Sequence, residues 1–384
     1  MNFELNDDQV AFADMARDFA NRELAPHAAE WDREAHFPVE VIKRAGELGF
    51  CSLYAPERVS GLGLSRLDAS IIFEQLAMGC TSTTAYLTIH NMVTWMVARF
   101  GRDEVVDDLG VRLATGELLG SYCLTEPGAG SDAAALKSSA TRDGDAYVLN
   151  GSKIFISGAG STDVLVVMAR SGGEGAGGVS AFIVDAHSAG ISYGRKEEKM
   201  GWNSQPTRMV NFDNVRVPLG HLLGEEGEGF KIAMKGLDGG RINIATCSLG
   251  TAQQALNAAR DYLRERHQFG KRLAEFQGLQ FRLADMVTEL VAARQLVRMA
   301  ACKLDDGHPE ASAYCAMAKR FATDVGFKVC DEALQLHGGN GYIREYPLER
   351  HVRDTRVHRI LEGTNEIMRL IVARRVLTEG AAEF

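Results

Sequence analysis

From about Glu228 onward the chain carries apolar residues at helical spacing almost without interruption. Amphipathic runs cover 230–265, 275–305, 309–336 and 346–378, joined by "HQFGKR", "DDGHPE" and "HGGNGYI". Helices this long, with joints this short, can bury their apolar stripes only against one another. The expectation is an antiparallel four-helix bundle.

The sequence before this bundle changes period twice. Residues 1–118 read helical, with "NDD" at 6–8 opening a run of Val10, Phe12, Met15 and Phe19, and Pro38 and Gly49 punctuating a second. From Leu118 the runs "LLGSYCLTEP", "AYVLNGSKIFIS", "DVLVVMARS", "VSAFIVDA" and "RMVNFDNVRVP" are short, β-rich and broken by Gly, Asp and Asn. Asn150-Gly151 gives a type I′ hairpin signal, and "SGGEGAGG" at 171–178 reads as a flexible loop. The fold class is therefore α+β in three domains: an N-terminal α-helical domain over 1–118, a middle antiparallel β-barrel or sandwich over 119–228, and the C-terminal four-helix bundle over 229–384. A chain of 384 residues is long enough for two or three cores.

The net charge of −9 disfavours nucleic acid or an anionic membrane surface, which both need a basic footprint. No run of 18 apolar residues exists, so no membrane span is expected. Seven scattered cysteines without a CxxC read as reduced thiols, and no Cys/His set has zinc spacing, so no metal is expected. The acidic start, "MNFELNDDQVAFADMARDF", lacks the look of a signal or transit peptide, and a bacterial cytoplasmic location is the expectation.

"TEPGAGSDAAA" at 125–135 matches GxGxxA, yet a dinucleotide-binding βαβ unit needs a full helix next. The turn signal "TRDGD" arrives too soon for one. What remains is a Gly-rich loop with free backbone donors and the hydroxyls of Thr125 and Ser131, able to approach a flat ring or a phosphate, or simply a β-turn. "LRERHQFGKRL" at 263–273 offers Arg266, whose planar fork suits a pyrophosphate, or else it is a solvated basic connector. "QLHGGNGY" at 335–342 is a second Gly-rich joint, with a helix C-cap as its plain reading.

"RILEGTNEIM" at 359–368 places Glu362 where Gly363 interrupts a helix and Thr364-Asn365 can start the next. Glu362 is either a base in an apolar cavity or a surface charge paired with Arg359 or Arg369. Glu366 suits the first turn of the new helix.

Together "YCLTEPGAGSD" (122–132), "QLHGGNGYIREYPLERHVRD" (335–354) and "ILEGTNEI" (360–367) resemble, in order and spacing, the signatures of the acyl-CoA dehydrogenase family along essentially the whole chain. The resemblance implies FAD and an acyl-CoA thioester, with Glu362 abstracting the α-proton while the β-hydride passes to the flavin. It implies that Tyr122, Cys123, Leu124, Thr125, Gly130 and Ser131 line the flavin, Ser131 facing the substrate too. It implies that Phe155, Ile156 and Ser157 cover the flavin's other side, although many relatives carry Trp at the position of Phe155. Arg266, Phe276 and Gln277 would hold the pyrophosphate and adenosine half. Gln335, Gly338 and Gly339 would reach a FAD in a neighbouring subunit, and Thr364 and Glu366 would touch FAD as well. Asp238, Arg241 and Arg374 would meet the CoA moiety. "EKMGWNSQPTR" (198–208) and "GLDGGRINIATCSLG" (236–250) are similar to members acting on short branched acyl chains, isobutyryl-CoA to methacrylyl-CoA in valine breakdown foremost. A 2-methylbutyryl-CoA or straight short-chain dehydrogenase, an acyl-CoA oxidase and a non-catalytic acyl-CoA or flavin scaffold are the alternatives. An electron-transfer flavoprotein as acceptor and a homotetramer are also implied by the resemblance alone.

Overall fold

The structure is a computed structural model and describes residues 4–379. The N-terminal region is built from α1 (Asp7–Phe19), α2 (Ala28–Glu34), α3 (Val39–Glu47), α4 (Arg66–Gly79), α5 (Thr81–Phe100) and two short turns, α6 (Asp103–Val105) and α7 (Val111–Ala114). Asn6 starts α1 through a reciprocal cap with Gln9, and the Ser65 hydroxyl accepts from the Asp68 N–H to start α4. Phe19, Trp31, Phe50, Ile72, Phe73 and Leu76 form the core of this region.

Strands β1 (Gly120–Cys123), β2 (Ser139–Asp143), β3 (Ala146–Ser157), β4 (Val164–Arg170), β5 (Val179–Asp185), β6 (Ile191–Tyr193), β7 (Thr207–Pro218) and β8 (Leu222–Leu223) make one eight-stranded sheet. The order is β6-β7-β3-β2-β4-β5-β8, with β1 alongside β4. The sheet is antiparallel except for β1 with β4 and the single register pair between β2 and β4, which are parallel. Both faces are covered. Phe182, Val210 and Phe212 lie in the core of one face. The other face packs on α5 and on the start of α8 (Gly229–Glu265) through Val166, Met168, Val93 and Ile232.

Asn150-Gly151 is not a hairpin turn. Both residues lie inside β3, where the pairing with β7 slips between Leu149 and Gly151. Gly151 sits at φ +138, and a Cβ there would strike Ser138. A β-bulge makes the same demand on the backbone as a tight turn, and the dipeptide satisfies either. The turn falls at Gly144-Asp145, between the paired Asp143 and Ala146, with Gly144 at φ +61. Nor is the 171–178 loop left unfastened: the Arg170 guanidinium donates to the carbonyls of Gly173 and Gly175.

The C-terminal region holds α8, a two-residue-strand hairpin β9 (His267–Gln268) and β10 (Lys271–Arg272), then α9 (Gln277–Asp305) and α10 (Ala311–His337). The last expected run divides into the turn α11 (Gly339–Tyr342), α12 (Leu348–Arg356) and α13 (Asn365–Glu379). Residues 1–3 and 380–384 lie outside the described residues. Leu249, Leu256, Leu290, Val297, Val329 and Leu336 form the bundle core. Burying each such side chain is worth about 1.5–3 kcal/mol. α8 is 37 residues long and touches the sheet, α4, α5 and the bundle, so it is the element that relates all three regions.

Candidate active site

α12 tightens into a 3-10 turn at Val357–Arg359, and the helix then breaks. Glu362 at φ +57 and Gly363 at φ +87 are consecutive left-handed residues. For a glutamate this conformation costs about 1–3 kcal/mol, so the surroundings must hold it. The helix resumes as α13, with the Thr364 hydroxyl accepting from the Ile367 N–H at 3.3 Å. The turn throws the Glu362 side chain inward against α8. Its carboxylate rests on Gly240, where any Cβ would collide with it.

Glu362 as a residue is partly accessible, yet its Oε2 is buried and has no hydrogen-bond partner among the described residues. Burial pushes its pKa up to about 7, against the opposing pull of Arg241 and Lys319. The arginines that could have made it a surface ion pair are engaged elsewhere. Arg359 pairs with Asp324 at 2.7 Å, and Arg369 with Glu366 at 3.3 Å and Asp324 at 3.4 Å. Four residues on, Glu366 is exposed in the first turn of α13. Backbone N–H donation, the Thr364 hydroxyl and nearby arginines hold its carboxyl below the usual range.

The wall around Glu362 comes from distant segments. The Tyr122 hydroxyl is buried without a hydrogen-bond partner among the described residues, and burial together with the Glu362 charge raises its pKa. Tyr54 carries the Arg66 guanidinium 3.4 Å above its ring and accepts from Asn243 at 3.1 Å. Gly239 makes room for that guanidinium as Gly240 does for Glu362, because a Cβ on either would strike it. Two glycines inside a helix cost roughly 1 kcal/mol each, and these two are what α8 gives up to admit both groups. Arg241 is buried, pairs with Asp238 at 2.6 Å and leaves its Nε without a partner. Lys319 is fully buried in α10 and donates to the Gly363 carbonyl at 2.7 Å and the Asn365 side chain at 2.9 Å. Tyr54, Arg66, Asn243 and Lys319 were not singled out from sequence. The adjacent glycines at 239–240, placed inside a helical run, were the one available signal.

The two stretches expected to line a flavin are tied together. β1 leads into the loop carrying Leu124, Thr125, Gly130 and Ser131. The Thr125 carbonyl accepts from the Ile154 N–H at 2.9 Å. The fully buried Lys153 donates to the Leu124 carbonyl at 3.0 Å and to Glu126 at 2.7 Å. Glu126 also accepts from the N–H groups of Lys137 and Ser138. No long helix follows the glycines, only a three-residue turn at Ala133–Ala135, as expected when the dinucleotide fingerprint is rejected. Cys123, Leu124 and Ile156 turn their side chains into the core, leaving backbone groups for a ligand. Phe155 does the opposite: it is left-handed at φ +58 and 63% exposed, an aromatic ring held out at some conformational cost. At Gly128 and Gly130 a Cβ would meet nothing within 4 Å. An open glycine loop, a presented ring and the Ser131 hydroxyl fit a flat isoalloxazine.

Asp238, Arg241 and Arg374 are brought toward one another around Ser312. Its hydroxyl donates to Asp238, and it lines the same notch as Arg374 between the start of α10 and α13. Arg266, Phe276, Gln277, Gln335, Gly338 and Gly339 are not brought to this place. Arg266 caps the far end of α8, twenty-five residues beyond Arg241 and so about 38 Å away at 1.5 Å per residue. The ends of α8 and α10 are fastened there by Tyr262 stacked on His337, with centroids 4.3 Å apart, and by Asn340 donating to the Tyr262 hydroxyl. Gly338 at φ +58 and Gly339 again face open space. This second surface cannot serve the same small region of the same chain as Glu362.

Comparison with known proteins covers all three regions. The N-terminal domain of acyl-CoA dehydrogenase matches residues 6–117, its middle domain 121–215 and its C-terminal domain 227–377. The chain is 54% identical to a mitochondrial isobutyryl-CoA dehydrogenase of Bos taurus over 98% of its own length and 90% of the relative's. It is 52% identical to the Dictyostelium discoideum protein of the same name over 97% and 90%. It superposes on butyryl-CoA dehydrogenase from Megasphaera elsdenii with a TM-score of 0.95 and 40% identity, covering 98% of this chain and all of that one. The helical, β and helical regions thus each match in turn: the chain belongs to the acyl-CoA dehydrogenase family, whose members depend on FAD.

Proposed function

We propose that this acyl-CoA dehydrogenase takes isobutyryl-CoA, removes the α-proton through Glu362 and yields methacrylyl-CoA, with valine breakdown as its setting. The observation that carries the catalytic assignment is the Glu362 carboxylate, seated on Gly240 with a buried oxygen that none of the described residues hydrogen-bonds. The named isobutyryl-CoA relatives support the substrate.

When bound, FAD supplies the two-electron acceptor for the β-hydride. The chain's own residues do the rest. Desolvation keeps Glu362 basic enough to take a weakly acidic α-proton near neutral pH. The left-handed turn fixes the carboxylate at a helix break, where backbone N–H groups outside a helical ladder could bind a thioester oxygen. Tyr122 and Tyr54 exclude water from the base. Thr125, Ser131, Phe155 and Ser157 would hold the flavin, with the backbones of Tyr122, Cys123, Leu124, Gly130 and Ile156. Thr364 and Glu366 would add contacts at the start of α13. Asp238, Arg241 and Arg374 would hold CoA.

Arg266, Phe276, Gln277, Gln335, Gly338 and Gly339 would complete the FAD site of a neighbouring copy within a homotetramer. The separation of Arg266 from Arg241 along α8 supports this, as do exposed Phe269, Phe281, Val287, Val291 and Met299 near Arg266 and along α9. An electron-transfer flavoprotein as acceptor, a cytoplasmic location and the domain division after 118 and 228 belong to the same reading. No helix among the described residues is long and apolar enough to cross a membrane.

Anaerobic bleaching of the bound flavin by a panel of acyl-CoAs tests the reading. Isobutyryl-CoA should give the highest kcat/KM. One methylene in a pocket is worth only about 1–3 kcal/mol, so a preference for butyryl-CoA would overturn the substrate assignment while leaving the reaction type intact.

A further inference from the structure

The turn that carries Glu362 is held by a residue with no assigned part in the reaction. Lys319 is fully buried, and an ammonium group is costly to bury unless its hydrogen bonds are met. Two of its three donors are used on the three residues that follow the base: the Gly363 carbonyl at 2.7 Å and the Asn365 Oδ1 at 2.9 Å. Asn365 is then locked by donating to Thr323 and Asp324, each at 3.0 Å. The left-handed pair Glu362-Gly363 is thus clamped to α10 at its exit, while Gly240 receives the carboxylate from α8.

An apolar side chain would fill this part of the bundle without any desolvation. A charge here makes sense if the turn needs its particular backbone and the base needs a cation nearby. We propose that Lys319 is a positioning residue for proton abstraction: it clamps the strained turn so that Glu362 points at the substrate, and it favours the ionised carboxylate. This rests on Glu362 being the base.

The charges around the pair are few. Glu362 faces Arg241 from α8 and Lys319 from α10, with Tyr122, Tyr54 and Cys247 as ionisable but uncharged neighbours. Lys319 faces Glu362, Arg241, Asp324 and Glu366, and its charge disfavours protonation of His358 in the 3-10 turn. Burial lowers the Lys319 pKa to about 8, still on the charged side of neutrality. Both cations act to keep Glu362 ionised, so removing one must move its titration upward.

The test is the rate of anaerobic flavin reduction by isobutyryl-CoA across pH in the FAD-loaded protein. Lys319→Met should lower the rate at pH 7 by about ten- to a hundredfold and move the midpoint of the pH profile up by about one unit. Lys319→Arg should restore the midpoint, with part of the rate. A folded, FAD-loaded Lys319→Met with the unaltered protein's rate and midpoint would overturn the proposal, even if its Tm fell. If Lys319→Met does not load FAD, Asn365→Ala decides: it leaves the ammonium but removes an anchor, so the rate should drop several-fold at an unchanged midpoint. Reduction at the unaltered rate in Asn365→Ala would also overturn it. If Glu362→Gln is reduced as fast as the unaltered protein, the assignment of Glu362 fails instead, and the two failures are told apart.

Discussion

The turn at 362–364 and the far end of the bundle at 266–277 and 335–339 differ in how much of a site one chain completes. At the turn, every group around the carboxylate comes from the same chain: Gly240 and Arg241 of α8, Lys319 of α10, Tyr54 and Tyr122. A carboxylate oxygen of Glu362 is buried and its charge neighbours are in place. At the far end the comparable groups, Arg266, Gln277, Gln335, Gly338 and Gly339, all lie on the surface with open space over the glycines. The first region, on the proposed reading, is an acid–base site assembled within one chain. The second, on the same reading, is one side of a cofactor site shared between copies, and that separates substitutions that should stop proton transfer from those that should loosen the cofactor.

The comparison is broken most directly at the base. Glu362→Gln should fold and keep FAD but lose flavin reduction by at least about a hundredfold, followed by stopped-flow absorbance. Retained reduction would move the role to another carboxylate. Gly240→Ala comes next. It adds a helix-favouring residue, worth up to about 1 kcal/mol, but its Cβ strikes the carboxylate, so reduction should fall about tenfold or more without loss of FAD. An unimpaired rate would mean that the carboxylate acts from elsewhere.

Arg266→Ala should do the reverse. A charge-assisted hydrogen bond is worth about 1.5–3 kcal/mol, so FAD should dissociate roughly ten- to a hundredfold more readily while the pH profile of the loaded enzyme stays put. Undiminished flavin content after purification would remove Arg266 from the cofactor site.

The smallest effect is one of pH. If Glu362 takes the α-proton it must be ionised, so kcat/KM should rise as pH passes through about 7. Stability should run the other way. The folded pKa of Glu362 lies above the ordinary 4.5, so its contribution is fully present below about 4.5 and lost as pH rises toward 7. Glu362→Gln should therefore exceed the unaltered protein in Tm by a few degrees at pH 8 and match it near pH 4.5, measured by thermal scans.

Much of the fold was legible in sequence because it rests on local period and punctuation. Asn6 starts a helix as its side chain dictates, and the helix break at 362–364 follows from Gly363 and the capping types Thr364 and Asn365. Asn150-Gly151 misled because a bulge and a hairpin ask the same thing of a backbone, and only the pairing of β3 with β7 separates them. The parallel seat of β1 against β4 was equally invisible, since strand order is set by burial on both faces of the sheet.

The sequence by itself determined the order of helical, β and helical regions, the interruption at Glu362 and the Gly-rich loops, because each is a property of neighbouring residues. Tertiary structure alone decided that Glu362 is desolvated rather than paired with Arg359 or Arg369. It also decided that Gly239 and Gly240 make room for Arg66 and the carboxylate, that Lys319 holds the turn, and that Arg266 lies at the far end of α8, about 38 Å along the helix from Arg241. A carboxylate's basicity depends on what surrounds it, and what surrounds Glu362 comes from residues far away in the chain.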